Sequence, residues 1–361
     1  MNQEFRPKKI YVLKEAQNLP LTRYTLKKLA PVPVEITDTL PRSRELVSAG
    51  DPVSAGKDIL FITVQRGPFL TKCPGTKSVL CCNYYVLELA ANCNFDCSYC
   101  FLQHYSRAPY LTLYANTDGI LPEIEDQISR RRNPLIPLRV GTGEFTDSLS
   151  LDSITDFSRV LVPPLAGRKD VILELKTKSS VIKNLLSMPG APNIVVAWSL
   201  NPPGIISSEE KKTASLEERI EAAVSCTDAG YSTAFHFDPV IHFSGWEKEY
   251  KKTVDTIFKN INPASVSWIS LGALRFTPAL KTPIERRTPE SRILGGEFLP
   301  GKDGKMRYPK KVREIIFKEV NSWIRAYTET VPVYLCMETK EVWKKSLSTT
   351  PCRDTRLEGI F

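Results

Sequence analysis

The residues best suited to chemistry lie in one short run, NCNFDCSYCF, at positions 92–101. It sets Cys93, Cys97 and Cys100 in a CxxxCxxC spacing, three of nine cysteines within eight positions. Nine is odd and the spacing uneven, which argues against a disulfide framework and for a metal or catalytic cluster. Three thiolates on one loop can meet one metal centre. A structural zinc ion takes four protein ligands, often as two CxxC pairs. No second CxxC or CxxH pair follows, and the histidines are only His104, His236 and His242. A cube-type iron–sulfur cluster is the better fit, with three irons on thiolates and the fourth open. An open iron can chelate a small molecule through an amine and a carboxylate.

A loop of this kind must be presented at the edge of a scaffold. From about residue 84, apolar strands alternate with helical stretches. YYVLEL (84–89), PLRVG (137–141), VILELKT (171–177), NIVVAWSL (193–200), STAFHFDPV (232–240) and SVSWISLG (265–272) read as strands. Helices are expected over 121–131, 150–160, 179–187, 215–229 and 246–260. In the fourth, Ser215 and Glu218 make a capping box and Gly230 closes the helix. Six strands, each with a crossover, predict an α/β fold: a partial parallel (βα)6-type barrel over 81–275. A small N-terminal extension, 1–80, precedes it, and a C-terminal extension, 276–361, follows. The cysteine run comes straight after the first barrel strand, where βα loops build active sites. In the tail, a helix over 310–326, a strand VPVYLCM and a further helix are expected. KDGK, between EFLP and MRYP, reads as a hairpin turn because Asp-Gly accepts positive φ.

Composition sets outer bounds. The 361 residues are 42% apolar and 25% charged, as in a soluble globular protein. No apolar run approaches the ~20 residues of a membrane span. The start, MNQEFRPKKIYVLKEAQ, is charged and lacks a cleavage site, so a cytoplasmic protein is expected. The net charge of +9 permits a polyanionic partner such as nucleic acid without demonstrating one.

CNFDCSYC resembles the radical S-adenosylmethionine signature, in which an aromatic residue, here Tyr99, precedes the third cysteine. The resemblance implies a [4Fe-4S] cluster on Cys93, Cys97 and Cys100, with S-adenosylmethionine on its open iron. Reductive cleavage of that molecule gives a 5′-deoxyadenosyl radical. By the same resemblance Glu144, in GTGE (141–144), is expected to hold the methionine amino group, with Thr146 as a nearby contact. Lys178 is expected on the carboxylate, and Ser199 and Asn201 on ribose hydroxyls or that carboxylate. Tyr99 is expected beside the cofactor.

The longer stretch CNFDCSYCFLQHYSRAPYLTLYAN resembles the spore photoproduct lyase family. So do GYSTAFHFDPVIHFSGWEKEY (230–250) and LRFTPALK (274–281), and the likeness spans about 80–340. The resemblance implies repair of a UV-induced thymine adduct in damaged duplex DNA, with a flavodoxin or ferredoxin as electron donor. Two departures stand out. The family's hydrogen-returning cysteine near the end of the second strand is absent from GTGEFTDS, and Glu144 stands at or near its place. The tyrosine after the third cluster cysteine is Phe101. Cys336, in VYLCME, is the candidate replacement donor. Cys73, Cys81, Cys82 and Cys352 are candidates for an auxiliary metal or cluster, while Cys226 reads as core. The turn GKDGKMRYPKK (301–311) offers Lys302, Lys305, Arg307, Lys310 and Lys311 for phosphates. Its Met306 and Tyr308 are expected to wedge or stack beside an extruded base. Three functions are therefore compatible: a photoproduct lyase, a radical enzyme on another lesion, nucleoside or peptide, and a non-catalytic DNA-binding iron–sulfur or zinc protein.

Overall fold

The computed structural model describes residues 4–41, 50–73, 75, 79–80, 82, 84–105, 108–131 and 133–347. Its larger sheet has eight strands. In spatial order these are Val333–Leu335, Val266–Ala273, Ser232–Val240, Ile194–Ser199, Val171–Thr177, Leu138–Gly141, Tyr85–Leu87 and Leu70–Lys72. All neighbours run parallel except the last pair. The sheet curls into a half-barrel, and its first six parallel strands in chain order are those the sequence predicts. The seventh comes from the tail: Val333–Leu335 docks in register on Ile269–Leu271. No helix among the described residues is long and apolar enough to cross a membrane.

Local signals worked where they were strong. Ser215 caps the helix Leu216–Asp228 with the full box, and Gly230 follows at φ +90°. Trp246–Asn260 and Lys310–Arg325 are helices as expected. Two helices came out shorter. The stretch 150–160 splits at Asp156, which has φ +52°. Asp152 there accepts from Ser158 N and Oγ and from Asn184. At 179–187 only Lys183–Leu186 is helical. Thr177 and Ser179 side chains bond the backbone N–H groups of Ser179 and Val181 instead, an alternative that competes with helix.

A second sheet has the order Val34–Thr37, Lys9–Leu13, Ile59–Thr63, Leu111–Tyr114 and Ala90–Ala91. It joins strands of the leading stretch to strands flanking the cysteine run. The leading stretch and the tail thus both share sheets with the middle segment.

Alternate residues of the barrel strands face inward. One interior layer holds Arg139, Glu174, His236, Ser270 and Tyr334. Arg139 donates to Glu174 at 2.8 Å and to the Tyr334 hydroxyl at 3.1 Å, with its guanidinium 4.2 Å from the Trp268 ring centroid. His236 bonds Glu174 at 2.7 Å and Ser270 at 2.5 Å. Burial pushes the Glu174 carboxyl up, but Arg139 and His236 outweigh it and hold the group well below the usual range. Burial keeps His236 neutral, so its Nε2 donates to Glu174 and its Nδ1 accepts from Ser270. Two residues further along the same strands lie Gly141, Lys176, Asp238, Gly272 and Cys336, at the open end.

Candidate active site

The cysteine loop is built from Ala90–Ala91 onward. Asn92 turns the chain at φ +72°, a conformation asparagine tolerates. Its amide donates to Pro109 O at 3.0 Å, and its Oδ1 accepts from Cys93 N. The buried Lys57 donates to Cys93 O at 3.0 Å and also to Phe95 O. Asp96–Cys97 then pairs antiparallel with Glu210–Lys211, placing Cys97 opposite Glu210. Ser98 bonds Glu209 through both its N–H and its hydroxyl. From the tail, Arg287 reaches Asp96 at 2.7 Å, Gln103 at 2.6 Å, Ser54 at 2.8 Å and Asp51 at 2.9 Å. The loop is pinned from both sides before any metal enters.

The three thiols share one field. Burial raises the Cys93 thiol to about 12, with Cys100 adding to the shift. Burial also raises Cys97, with contributions from Glu210, Cys100 and Cys93. Among the described residues, no three His, Cys, Asp or Glu side chains gather tightly enough to hold one metal ion. Ligands on a single zinc would sit ~3.8 Å apart on 2.3 Å arms. A cube spreads three thiolates over three irons, a chemistry that three thiols on one short loop suit.

Next to the loop lies a buried hub that sequence reading missed. Glu210 accepts from Arg219 at 2.6 Å, from Asn201 at 2.8 Å and from the Tyr99 hydroxyl. Lys178 stands 3.6 Å from the same carboxylate and over the Tyr99 ring. Burial alone would raise Glu210, but Lys178 and Arg219 take it down to about 2. Tyr250 donates to Asn201 Oδ1 at 2.6 Å, and Arg219 donates to Ser199 O at 2.7 Å. Tyr99, Lys178, Asn201 and, through Arg219, the Ser199 carbonyl thus meet around a carboxylate hidden in the plain-looking run SSEEKKT. Thr146 Oγ1 is buried nearby on the second-strand loop and makes no hydrogen bond. A cleft of about 420 Å³ opens beside the cluster loop, walled by Asn92, Leu102, Tyr105 and Phe145.

Glu144 keeps different company. It accepts from the Tyr84 hydroxyl at 2.8 Å. Its charge reaches the half-buried Lys176, which also feels Asp238 and Cys336.

The family profile described as Spore photoproduct lyase matches residues 5–328. The chain belongs to the spore photoproduct lyase family. Its members are radical S-adenosylmethionine lyases, which removes the non-catalytic reading. The chain is 24% identical over 304 residues to the spore photoproduct lyase of Clostridium acetobutylicum, covering 83% of this chain and 88% of that one. It is 25% identical over 306 residues to that of Bacillus subtilis strain 168, covering 81% and 85%. A solved spore photoproduct lyase mutant superposes with TM-score 0.82 at 22% identity, over 92% of this chain and all of the other. Another, with bound AdoMet and dinucleoside spore photoproduct, gives 0.81 at 21%, over 93% of this chain and all of the other. These structures share the fold.

The hairpin expected at KDGK is present, but its side chains are not all placed as expected. Leu299–Pro300 pairs with Met306–Arg307, and Gly304 turns at φ +76°. Lys302 is exposed at the tip, and Met306 is half-buried. Lys305 is half-buried, its ammonium 3.6 Å from Met337 Sδ. Arg307 and Tyr308, expected at the nucleic acid, are instead buried. Arg307 pairs with Asp303 and donates to Met337 O, while Tyr308 stacks on Phe298 at 4.7 Å and accepts from His242 N. Both anchor the hairpin to the barrel, because a tight turn needs its own counter-charge and apolar seat. Cys226 is buried in its helix as expected. Cys81 and Cys352 lie outside the described residues.

Proposed function

We propose that this chain generates a 5′-deoxyadenosyl radical and uses it to open a UV-induced thymine photoproduct in DNA. The carrying observation is the pinned CxxxCxxC loop at the barrel mouth, beside a hub of Tyr99, Lys178 and Asn201, in a chain of this family. A relative solved with AdoMet and dinucleoside spore photoproduct supports the cofactor and the lesion. A [4Fe-4S] cluster and S-adenosylmethionine, when bound, supply the reductive C–S cleavage. Cys93, Cys97 and Cys100 hold the cluster. Lys178 pairs with the cofactor carboxylate, leaving its 3.6 Å contact with Glu210. Ser199, Asn201 and the unpartnered Thr146 hydroxyl serve its polar groups, Tyr99 packs beside it, and Glu144 takes the amino group. Lys302 and Lys305 meet DNA phosphates, with Met306 at the rim. A flavodoxin- or ferredoxin-type protein brings the electron, and Cys336 returns a hydrogen atom.

One observation favours a second reading, a different lesion or base. Glu144 and Phe101 stand where a thiol and a phenol are expected. The test is anaerobic: reconstitute, reduce, and quantify 5′-deoxyadenosine with and without UV-irradiated DNA. Stimulation by irradiated DNA with recovery of thymine supports the lyase. Cleavage that ignores DNA supports another substrate, and no cleavage refutes the radical reading.

A further inference from the structure

Two cysteines outside the cluster loop lie on segments that a single bridge holds side by side near the open end of the barrel. Cys336 ends the seventh parallel strand. Its Sγ lies 3.5 Å from Arg275 Nη2, and the charge of the Asp238 carboxylate reaches it. Arg275 clamps the same carboxylate at 2.8 and 3.1 Å. Gly272 makes this possible: a Cβ there would sit 2.4 Å from Asp238 Oδ1. Cys82 lies on the segment leading into the first barrel strand. Leu80 in that segment bridges Glu338 antiparallel, with N to O at 2.8 Å. Cys82 and Cys336 each lie two residues along their chain from that bridge. Residues paired at an antiparallel bridge have Cα atoms ~4.5–5.5 Å apart, so the bridge brings the two cysteine-bearing segments side by side. Met337, at φ +53°, interrupts the regular ladder between them. The thiols stay within each other's field even so: burial and Asp238 raise Cys336, and Cys82 adds to it. Tyr84, whose hydroxyl binds Glu144, feels Cys82 as well.

We propose that Cys82 and Cys336 act together as the hydrogen-atom source, closing to a disulfide once per turnover. The proposal rests on the radical reading above. A carbon-centred substrate radical takes hydrogen from Cys336: a C–H bond forms, the S–H bond breaks, and a thiyl remains. The thiyl then bonds to the Cys82 sulfur. The Cys82 proton leaves to a mouth carboxylate, and a disulfide radical anion results. That species is a strong one-electron reductant. Its extra electron passes to the oxidised iron–sulfur or flavin carrier that supplied the first electron, leaving the disulfide. An external dithiol restores both thiols. A pair answers a need that one thiol does not meet. A lone thiyl must recover a hydrogen atom, and neither Glu144 nor Phe101 can give one readily. Asp238 and Arg275 are positioning residues that hold the Cys336 thiol toward the mouth.

The first test needs no cofactor. The full-length chain without cluster is treated with one equivalent of diamide and mapped by peptide mass spectrometry. One disulfide, Cys82–Cys336, is expected, absent in Cys82→Ser and in Cys336→Ser. Cys336 left unpaired, or paired with another cysteine, overturns the proposal. In the second test, reconstituted wild type turns over irradiated DNA in D2O, with photoreduced flavin as electron source and no added thiol. One deuterium per product and one Cys82–Cys336 disulfide per product are expected. Unlabelled product alongside 5′-deoxyadenosine overturns the thiol pair and leaves the radical reading standing. No 5′-deoxyadenosine at all overturns both.

Discussion

Arg287→Ala should loosen the cluster loop without touching a cysteine. The guanidinium is 10% exposed and bonds Asp51, Ser54, Asp96 and Gln103. It joins the leading stretch, the cysteine loop and the tail. A net hydrogen bond to a charged group contributes about 1.5–3 kcal/mol, and removing one partner of a buried pair costs about 3–5 kcal/mol. Asp51 is 33% exposed, and Lys57 remains 3.6 Å from Asp96, so the low end applies. The expected loss at pH 7 is about 3 kcal/mol, or a Tm lower by roughly 4 °C in a chain this long. The pH dependence has a definite sign. Burial raises Asp51 and Asp96, but Arg287 and their other partners outweigh it, and both end below the usual carboxylate range. Groups depressed on folding add stability above their unfolded pKa near 4, and lose it as pH falls through the folded value. The gap between wild type and variant should therefore be full at pH 7 and narrow below about pH 4. Thermal melts of the cluster-free chain at pH 7 and pH 3.5 measure it, with iron per chain after reconstitution as a second readout. A gap under 1 kcal/mol at pH 7, or one undiminished at pH 3.5, would refute the reasoning.

Glu210→Ala should destabilise by about 3–5 kcal/mol, because it strands the fully buried Arg219; an unchanged melt would show that the hub carries no strain of charge. Lys302→Ala should shallow the salt dependence of DNA affinity by about 0.9 in log–log slope, one phosphate contact. Tyr308→Ala should instead lower stability by roughly 3 kcal/mol through its lost seat on Phe298. A salt-slope change without a melt change for Tyr308→Ala would reverse that assignment. Ser215→Ala removes a cap and should cost about 1 kcal/mol, read as a small Tm shift with unchanged iron content.

Much of the fold was legible because its signals are local. β-branched runs marked the six strands, and the Ser215–Glu218 box marked its helix, since capping and strand periodicity act within a few residues. The splits at Asp156 and Ser179 were hidden, because side-chain bonds to nearby backbone compete with helix in ways residue type alone does not rank. In the site, Glu174, Lys176 and Lys178 alternate along one strand, a visible clue to a charged barrel interior. Arg307 and Tyr308 misled because charge and aromaticity in a turn look exposed until packing is known.

From its sequence alone, the chain determined the cysteine loop, the parallel α/β scaffold behind it and the family to which the chain belongs. Those rest on spacing within one loop and on short periodic runs. Tertiary structure decided which side chains converge. Tyr99 meets Glu210 across 111 positions, and Arg139 meets Tyr334 across 195. It also brought a strand from the tail into the barrel, setting Val333–Leu335 on Ile269–Leu271. Such meetings depend on strand register and burial, and no local pattern encodes which distant residue will fill the opposite wall.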